Sequence, residues 1–167
     1  MRYWVTSDTH FGHDKLKEYT ERPDRFENII LHKHSSLIRD DDVLIHLGDF
    51  CIGKETYWHD KFMTRIKCKK WLVKGNHDKK SNTWYMSNGW DFVADSIGLR
   101  VFGLKIALSH IPMIDYGLFD VNVHGHFHNS DHRRHEPELV AIKTYKHKLV
   151  KLEHAYEPQL LRRIVGA

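Results

Sequence analysis

The chain has 167 residues, 29% of them charged and 41% hydrophobic, with a net charge of +4; this is the ordinary mix of a globular protein, with room for one domain over residues 1–167. Aromatic residues make up 12%, which excludes intrinsic disorder, and no apolar run approaches the roughly 18 residues of a membrane-spanning helix. The opening stretch MRYWVTSDTHFGH lacks a signal peptide's apolar core, and two cysteines, Cys51 and Cys68, are too few for a disulfide framework, so a reducing cytoplasm is the expected compartment.

Strand and helix patterns alternate in the first half. Tyr3–Thr6 is a short β-rich run that ends at Ser7 and Asp8. Asp24 and Glu27 have the spacing of a capping box, an acidic N-cap with a glutamate three residues on. Phe26, Ile29, Ile30 and Leu37 then recur at helical spacing before the stop at Asp40–Asp42. Val43–Leu47 is a second apolar run; Trp58, Phe62 and Ile66 mark one face of a second helix; Trp71–Val73 is a third strand. Asp91–Ser96, Leu99–Phe102, Leu104–Ser109 and Val121–His124 follow as short strand-like runs with few helix signals. Leu139–Tyr145 and Leu149–Glu153 continue the β pattern, and Pro158 opens a short terminal helix, where its missing N–H costs nothing.

Charge is uneven along the chain. Residues 61–80 carry eight basic side chains against Asp78 alone. Such a strip could draw in a phosphate-bearing ligand, or simply be a solvated helix end and loop. The chain also holds 15 histidines, the commonest metal ligand and the usual acid or base near neutral pH. Several of them fall with Asp or Asn just after the apolar runs: Asp8 and His10, Asp49 after Gly48, Asn76–Asp78 after Gly75, His110, and His124, His126 and His128. In open α/β sheets, ligands collect beyond the carboxyl ends of strands, so five distant strand ends can converge on one crevice. Carboxylate, amide oxygen and imidazole suit Mn, Fe, Zn or Ni, and are too nitrogen-rich for a dedicated Ca or Mg cage.

Each motif is weak alone, but the ordered set resembles the calcineurin-like metallophosphoesterase superfamily, small single-domain bacterial and phage members in particular, over residues 8 to 128. The resemblance implies an α/β fold of two mixed β-sheets packed face to face with helices outside, a four-layer αββα sandwich. It also implies two divalent metal ions, Mn favoured, with Fe, Zn, Ni or Mg as alternatives. Asp8, His10, Asp49 and His128 would hold the first ion, and Asp49, Asn76, His110 and His126 the second, with Asp49 as the bridge. Two ions about 3.5–4 Å apart make a bridging hydroxide a nucleophile for in-line attack on phosphorus. By the same resemblance His77 is the general acid toward the leaving oxygen, with Asp78 orienting it.

The remaining histidines divide by position. His13, after Phe11 and Gly12, is a candidate for contacting the substrate phosphate, as is Arg22 through a bidentate clamp. His124 is expected to be structural and His46 a satisfied core histidine, while His32, His34, His59, His132, His135, His147 and His154 are expected at the surface. Cys51 reads as a small buried filler. Trp71, Trp84, Tyr85 and Trp90 could stack bases, although core packing explains most of them better. The expected activity is phosphoester hydrolysis, phosphodiesterase favoured, on a phosphorylated small molecule, a nucleotide or a nucleic-acid end. The alternatives are a phosphomonoesterase of a small metabolite, a non-catalytic scaffold of the same fold such as the one in the retromer complex, and a zinc-stabilised fold without turnover.

Overall fold

A computed structural model describes residues 1–20, 22–101, 103–113, 118–127, 139–141 and 150–151. The elements in order are β1 (Tyr3–Thr6), α1 (Leu16–Tyr19), α2 (Phe26–Leu37), β2 (Val43–His46), α3 (Glu55–Arg65), β3 (Lys69–Val73), α4 (Asn82–Ser87), β4 (Phe92–Ala94), β5 (Ser96–Val101), β6 (Leu104–Ser109), β7 (Val121–His124), β8 (Leu139–Ala141) and β9 (Val150–Lys151). They build two sheets, one ordered β4-β3-β2-β1-β9 and the other β5-β6-β7-β8. β1 to β4 run parallel, β9 is antiparallel to β1, and β5 is antiparallel to β6 in a sheet otherwise parallel. Both sheets are therefore mixed, as expected.

Strand side chains alternate between two faces, and the first sheet uses both. Trp4, Leu44 and Leu72 pack with Phe26, Ile30, Phe62, Tyr85 and Trp90 in a core beneath the helices. Val5, Ile45 and Val73 face the other way and meet Ile106, Leu108, Val121 and Val123 of the second sheet. A sheet buried on both sides needs near-continuous apolar strands, which is what Val43–Leu47 supplies.

Several local expectations are corrected. The N-cap of α2 is Arg25, at φ 56°, rather than Asp24, so Glu27 sits in the first turn instead of closing a capping box. The Asp91–Ser96 run is two strands, with the chain leaving the first sheet after Ala94 and entering the second at Ser96. α4 carried no periodic signal because only Tyr85 among its six residues is buried; its marks are Ser81, whose hydroxyl accepts from Trp84 N, and Gly89 beyond its end. His34 and His59 are buried rather than surface residues. Each donates its Nδ1–H to the carbonyl four residues back, Ile30 and Glu55 respectively, which lets an imidazole fill an aromatic core. Tyr85 and Trp90 belong to that core and Trp71 and Trp84 are packed against the two cores, which removes them as a base-stacking platform. The terminal helix after Pro158, like His132, His135, His147 and His154, lies outside the described residues.

One ionic knot ties β1 to the start of β2. The Asp42 carboxylate, its side chain 1% exposed, accepts from Arg2 N, Nε and a terminal guanidinium nitrogen, from Trp4 Nε1 and from Arg39 N. The Arg2 guanidinium, against the opposing effect of burial, holds the Asp42 carboxyl well below the usual carboxylate range. A carboxyl depressed in the folded state stabilises fully above its unfolded pKa of about 4 and loses that contribution as pH falls further. Asp42→Asn is thus expected to lower the thermal midpoint at pH 7, with the gap to wild type narrowing at pH 3. A gap that is the same at both values would show that the Asp42 charge contributes nothing.

Candidate metal centre

The parallel strands deliver their carboxyl ends to one edge of the sandwich, and the polar residues follow immediately. Asp8 and His10 lie after β1, Asp49 after β2, Asn76, His77 and Asp78 after β3, His110 after β6 and His126 after β7. The first two loops are laced by backbone bonds: Asp8 N to Gly48 O, His10 N to Asp49 O and Phe11 N to Phe50 O, at 2.9–3.0 Å. The close approach leaves no space for side chains at the glycines. A Cβ on Gly75 would strike Asp49 Oδ1, and one on Gly125 would strike Ser7 Oγ and sit 2.6 Å from Asp8 Oδ2.

Asp8, His10 and Asp49 are buried and present one ligand atom each, all within 4.8 Å of one another. Asp49 Oδ2 is the hub: it lies 3.8 Å from His10 Nε2, 3.8 Å from His77 Nε2 and 3.4 Å from His110 Nε2. On the far side Asn76 Oδ1 stands 2.9 Å from His110 Nε2 and 3.1 Å from His126 Nδ1. Ligand bonds of about 2.1 Å at tetrahedral or octahedral angles put neighbouring donors about 3.0–3.4 Å apart, so the spacings of His110 from Asp49 and of Asn76 from His110 and His126 fit a small divalent cation, while His10 stands somewhat wider from Asp49. His110 donates Nδ1–H to Leu47 O at 2.8 Å, which leaves Nε2 as the nitrogen free to turn a lone pair inward. Backbone strain gathers here as well: of six non-glycine residues with positive φ among the described residues, four are Asp8, His10, Asp49 and His126. Such conformations cost about 1–3 kcal/mol each and persist where surrounding structure dictates them.

The calcineurin-like phosphoesterase family model matches residues 1–158. The chain belongs to that family. It is thereby a hydrolase of phosphoester bonds and a metal-binding protein. It is 25% identical over 169 residues to the uncharacterized protein MJ1445 of Methanocaldococcus jannaschii, covering 91% of this chain and 88% of that one. Its fold is similar to that of a protein of unknown function, AQ665 of Aquifex aeolicus, with a TM-score of 0.74 at 22% identity, over 96% of this chain and 98% of that one. It is also similar to an archaeal phosphodiesterase, with a TM-score of 0.54 at 18% identity, over 91% and 99% of the two chains. No described helix is long and apolar enough to cross a membrane.

Of the residues singled out in the sequence, the structure of this phosphoesterase brings Asp8, His10, Asp49, Asn76, His77, His110 and His126 together; His128 lies outside the described residues. The electrostatics follow from the crowding. Burial pushes the Asp49 carboxyl up, but His110, the His77 N–H at 2.8 Å from Oδ1 and His10 outweigh it and hold it below its ordinary value. His13 has its ring 5.9 Å from that of His10, and burial, with His10 and His77 close by, pulls its pKa down. His46 is buried and neutral, pushed down to about 3 by burial. Its Nδ1 accepts from Gly48 N, so Nε2 carries the proton to Thr9 Oγ1, which donates in turn to Phe50 O. This is the satisfied core histidine expected, and it joins two of the loops. His124 is likewise buried, with Nδ1 donating to Gly125 O.

Two expected roles are corrected. Asp78 does not orient His77: its carboxylate accepts the backbone N–H groups of Asp49, Phe50 and Gly75, at 2.8, 3.2 and 2.8 Å. It is a brace for the Asp49 loop. Arg22 is no clamp for substrate either, because it is 6% exposed and its guanidinium donates to Asp8 O and Thr9 O while lying over the Phe26 ring. Burial lowers its pKa to about 10, far above neutrality, so the charge stays on. The missed signal is local: a cation 14 residues after Asp8 and four before Phe26 can fold back onto that loop with an aromatic beneath it.

Arg22 therefore holds the strained backbone on which Asp8 and His10 stand. Arg22→Met removes both bonds and is expected to weaken Mn²⁺ binding about tenfold or more, with Arg22→Lys intermediate, as read by calorimetric titration. Wild-type affinity in the methionine variant would show that the loop keeps its shape without the guanidinium.

Proposed function

We propose that the chain is a binuclear metal-dependent phosphodiesterase. Asp8, His10, Asp49 and His128 hold one ion, and Asp49, Asn76, His110 and His126 the other. The observation that carries this reading is the position of the Asp49 carboxylate, whose Oδ2 faces His10 of one donor set and His110 of the other. A shared carboxylate is the group that lets two cations approach each other. Nitrogen and oxygen donors without thiolate favour Mn, with Fe, Zn, Ni or Mg able to substitute.

Divalent cations, when bound there, would supply Lewis-acid polarisation of phosphoryl oxygens and a lowered pKa for bound water. The protein's own groups do the rest. Asp78, Arg22 and His46 fix the loops, so the donors need no rearrangement as charge develops on the phosphoryl oxygens. Among the described site histidines, His77 is the exposed one, its side chain 46% accessible. Its Nε2 donates a proton to the leaving oxygen, and its backbone N–H holds Asp49 Oδ1 in place. The open rim at His77 favours diesters, whose second substituent needs room, over monoesters. A neighbour of the same fold that is described as a phosphodiesterase agrees with this preference.

The test begins with protein stripped by a chelator and then given Mn, Ni, Zn or Mg. Bis(p-nitrophenyl) phosphate should be cleaved on metal addition, and p-nitrophenyl phosphate hardly at all. Preference for the monoester would replace the reading with a phosphatase, and no cleavage at all by metal-loaded protein would favour a scaffold. His77→Ala should bind metal normally and lose about 10²–10⁴-fold in turnover on esters of poor leaving groups, and less on p-nitrophenyl esters, which need little proton donation. Loss of metal instead would make His77 a ligand.

A further inference from the structure

Beside the metal centre, on the Asn76–His110 side, lies a cleft of about 370 Å³, in the size range that holds small organic ligands. Its walls come from three strand ends: Lys74 past β3, Asp95 at the corner where the chain passes from one sheet to the other, and Ile111 and Met113 past β6. Each wall offers a different chemistry. Lys74 is the one basic residue of the 61–80 strip that lines the cleft; others are committed elsewhere, Lys70 to the carbonyls of Ile66 and Cys68, Lys80 to Glu55, and Lys61 over Trp58. Asp95 is an exposed carboxylate, an acceptor for hydroxyl groups. Ile111, one residue after His110, is 54% exposed among the described residues.

The segment 109–113, which presents Ile111 and Met113, is tied down by side-chain hydrogen bonds. Asn122, fully buried, accepts Met113 N at 2.7 Å through Oδ1 and donates through Nδ2 to Ala107 O and Ser109 Oγ. Ser109 Oγ donates to Ile111 O at 2.7 Å. Two buried side chains thus fix the backbone that leaves Ile111 exposed at the cleft, with the half-buried Met113 beside it, against the pull of the hydrophobic effect, which favours turning such residues inward. A cation, a hydroxyl acceptor and an apolar face, in one cleft that starts at the metal ligands Asn76 and His110, match the three parts of a nucleotide: phosphoryl oxygens, sugar hydroxyls and base.

We infer that this cleft is a nucleotide subsite and that the substrate is a nucleotide ester. Lys74 pairs with phosphoryl oxygen, Asp95 accepts from the sugar, and Ile111 and Met113 pack against the base. The inference rests on the phosphodiesterase reading for its catalytic meaning, but the subsite is testable by binding alone.

The experiment is calorimetric binding of adenosine 5′-monophosphate and of inorganic phosphate to the Mn²⁺-loaded protein. The nucleotide should bind about tenfold or more tighter than phosphate, the equivalent of covering one apolar face. In Ile111→Ser, whose side chain is exposed enough to leave the fold intact, that ratio should collapse toward one, and Asp95→Ala should reduce it in part. Lys74→Ala should weaken both ligands and leave the ratio. Equal binding of the two ligands by wild type, or an unchanged ratio in Ile111→Ser, would overturn the subsite. If nucleotide selectivity is present but no ester is hydrolysed, the subsite stands and the phosphodiesterase reading fails.

Discussion

The site depends on one stretch of backbone, Gly48–Asp49, being held in a left-handed conformation against the ends of β1 and β3. At φ 91° and 56° the chain turns sharply out of β2 and aims the Asp49 carboxylate back across the strand ends. Gly48 adopts that shape freely, having no Cβ, whereas at Asp49 it carries a steric cost. It is imposed from both sides, by the backbone bonds to Asp8 and His10 and by Asp78, which takes the N–H groups of Asp49 and Phe50. Donors from separate loops then converge because their loops cannot move independently.

That construction is costly in charge. Asp8, Asp49 and Asp78 are 0%, 2% and 4% exposed, and burial together with the negative charge of Asp49 pushes the Asp78 carboxyl up. Buried carboxylates persist only when paired or hydrogen-bonded. Asp78 is satisfied by backbone N–H groups and Asp49 Oδ1 by the backbone N–H of His77, while the guanidinium of Arg22 lies just behind the Asp8 carbonyl. The arrangement is a concentration of negative charge and imidazole lone pairs at the surface of a rigid frame, which is the electrostatic form of a cation site. The frame is prepaid by two apolar cores, one under the helices and one between the sheets.

Much of this was legible in the sequence, and the reasons differ by residue. Asp8, His10, Asp49, Asn76, His110 and His126 could be read because each follows an apolar strand, and parallel strands bring their ends to a common edge. The strands of the first sheet were readable because burial on both faces leaves nearly unbroken apolar runs. Asp78 and Arg22 could not be assigned correctly, since a sequence motif places a carboxylate near a histidine but does not say that backbone N–H groups will claim it first. His34 and His59 were misplaced for a similar reason: a helix can satisfy a ring nitrogen internally, so the residue type says little about burial. Helix α4 was invisible because one buried side chain makes no period.

The central claim is that Asp49 lies between two cations. Anomalous diffraction from crystals soaked in Mn²⁺ tests it most directly. The account predicts two peaks about 3.5–4 Å apart, one beside Asp8 and His10 and one beside Asn76 and His110, with the Asp49 carboxylate touching both. A single peak, or two that Asp49 does not bridge, would contradict it.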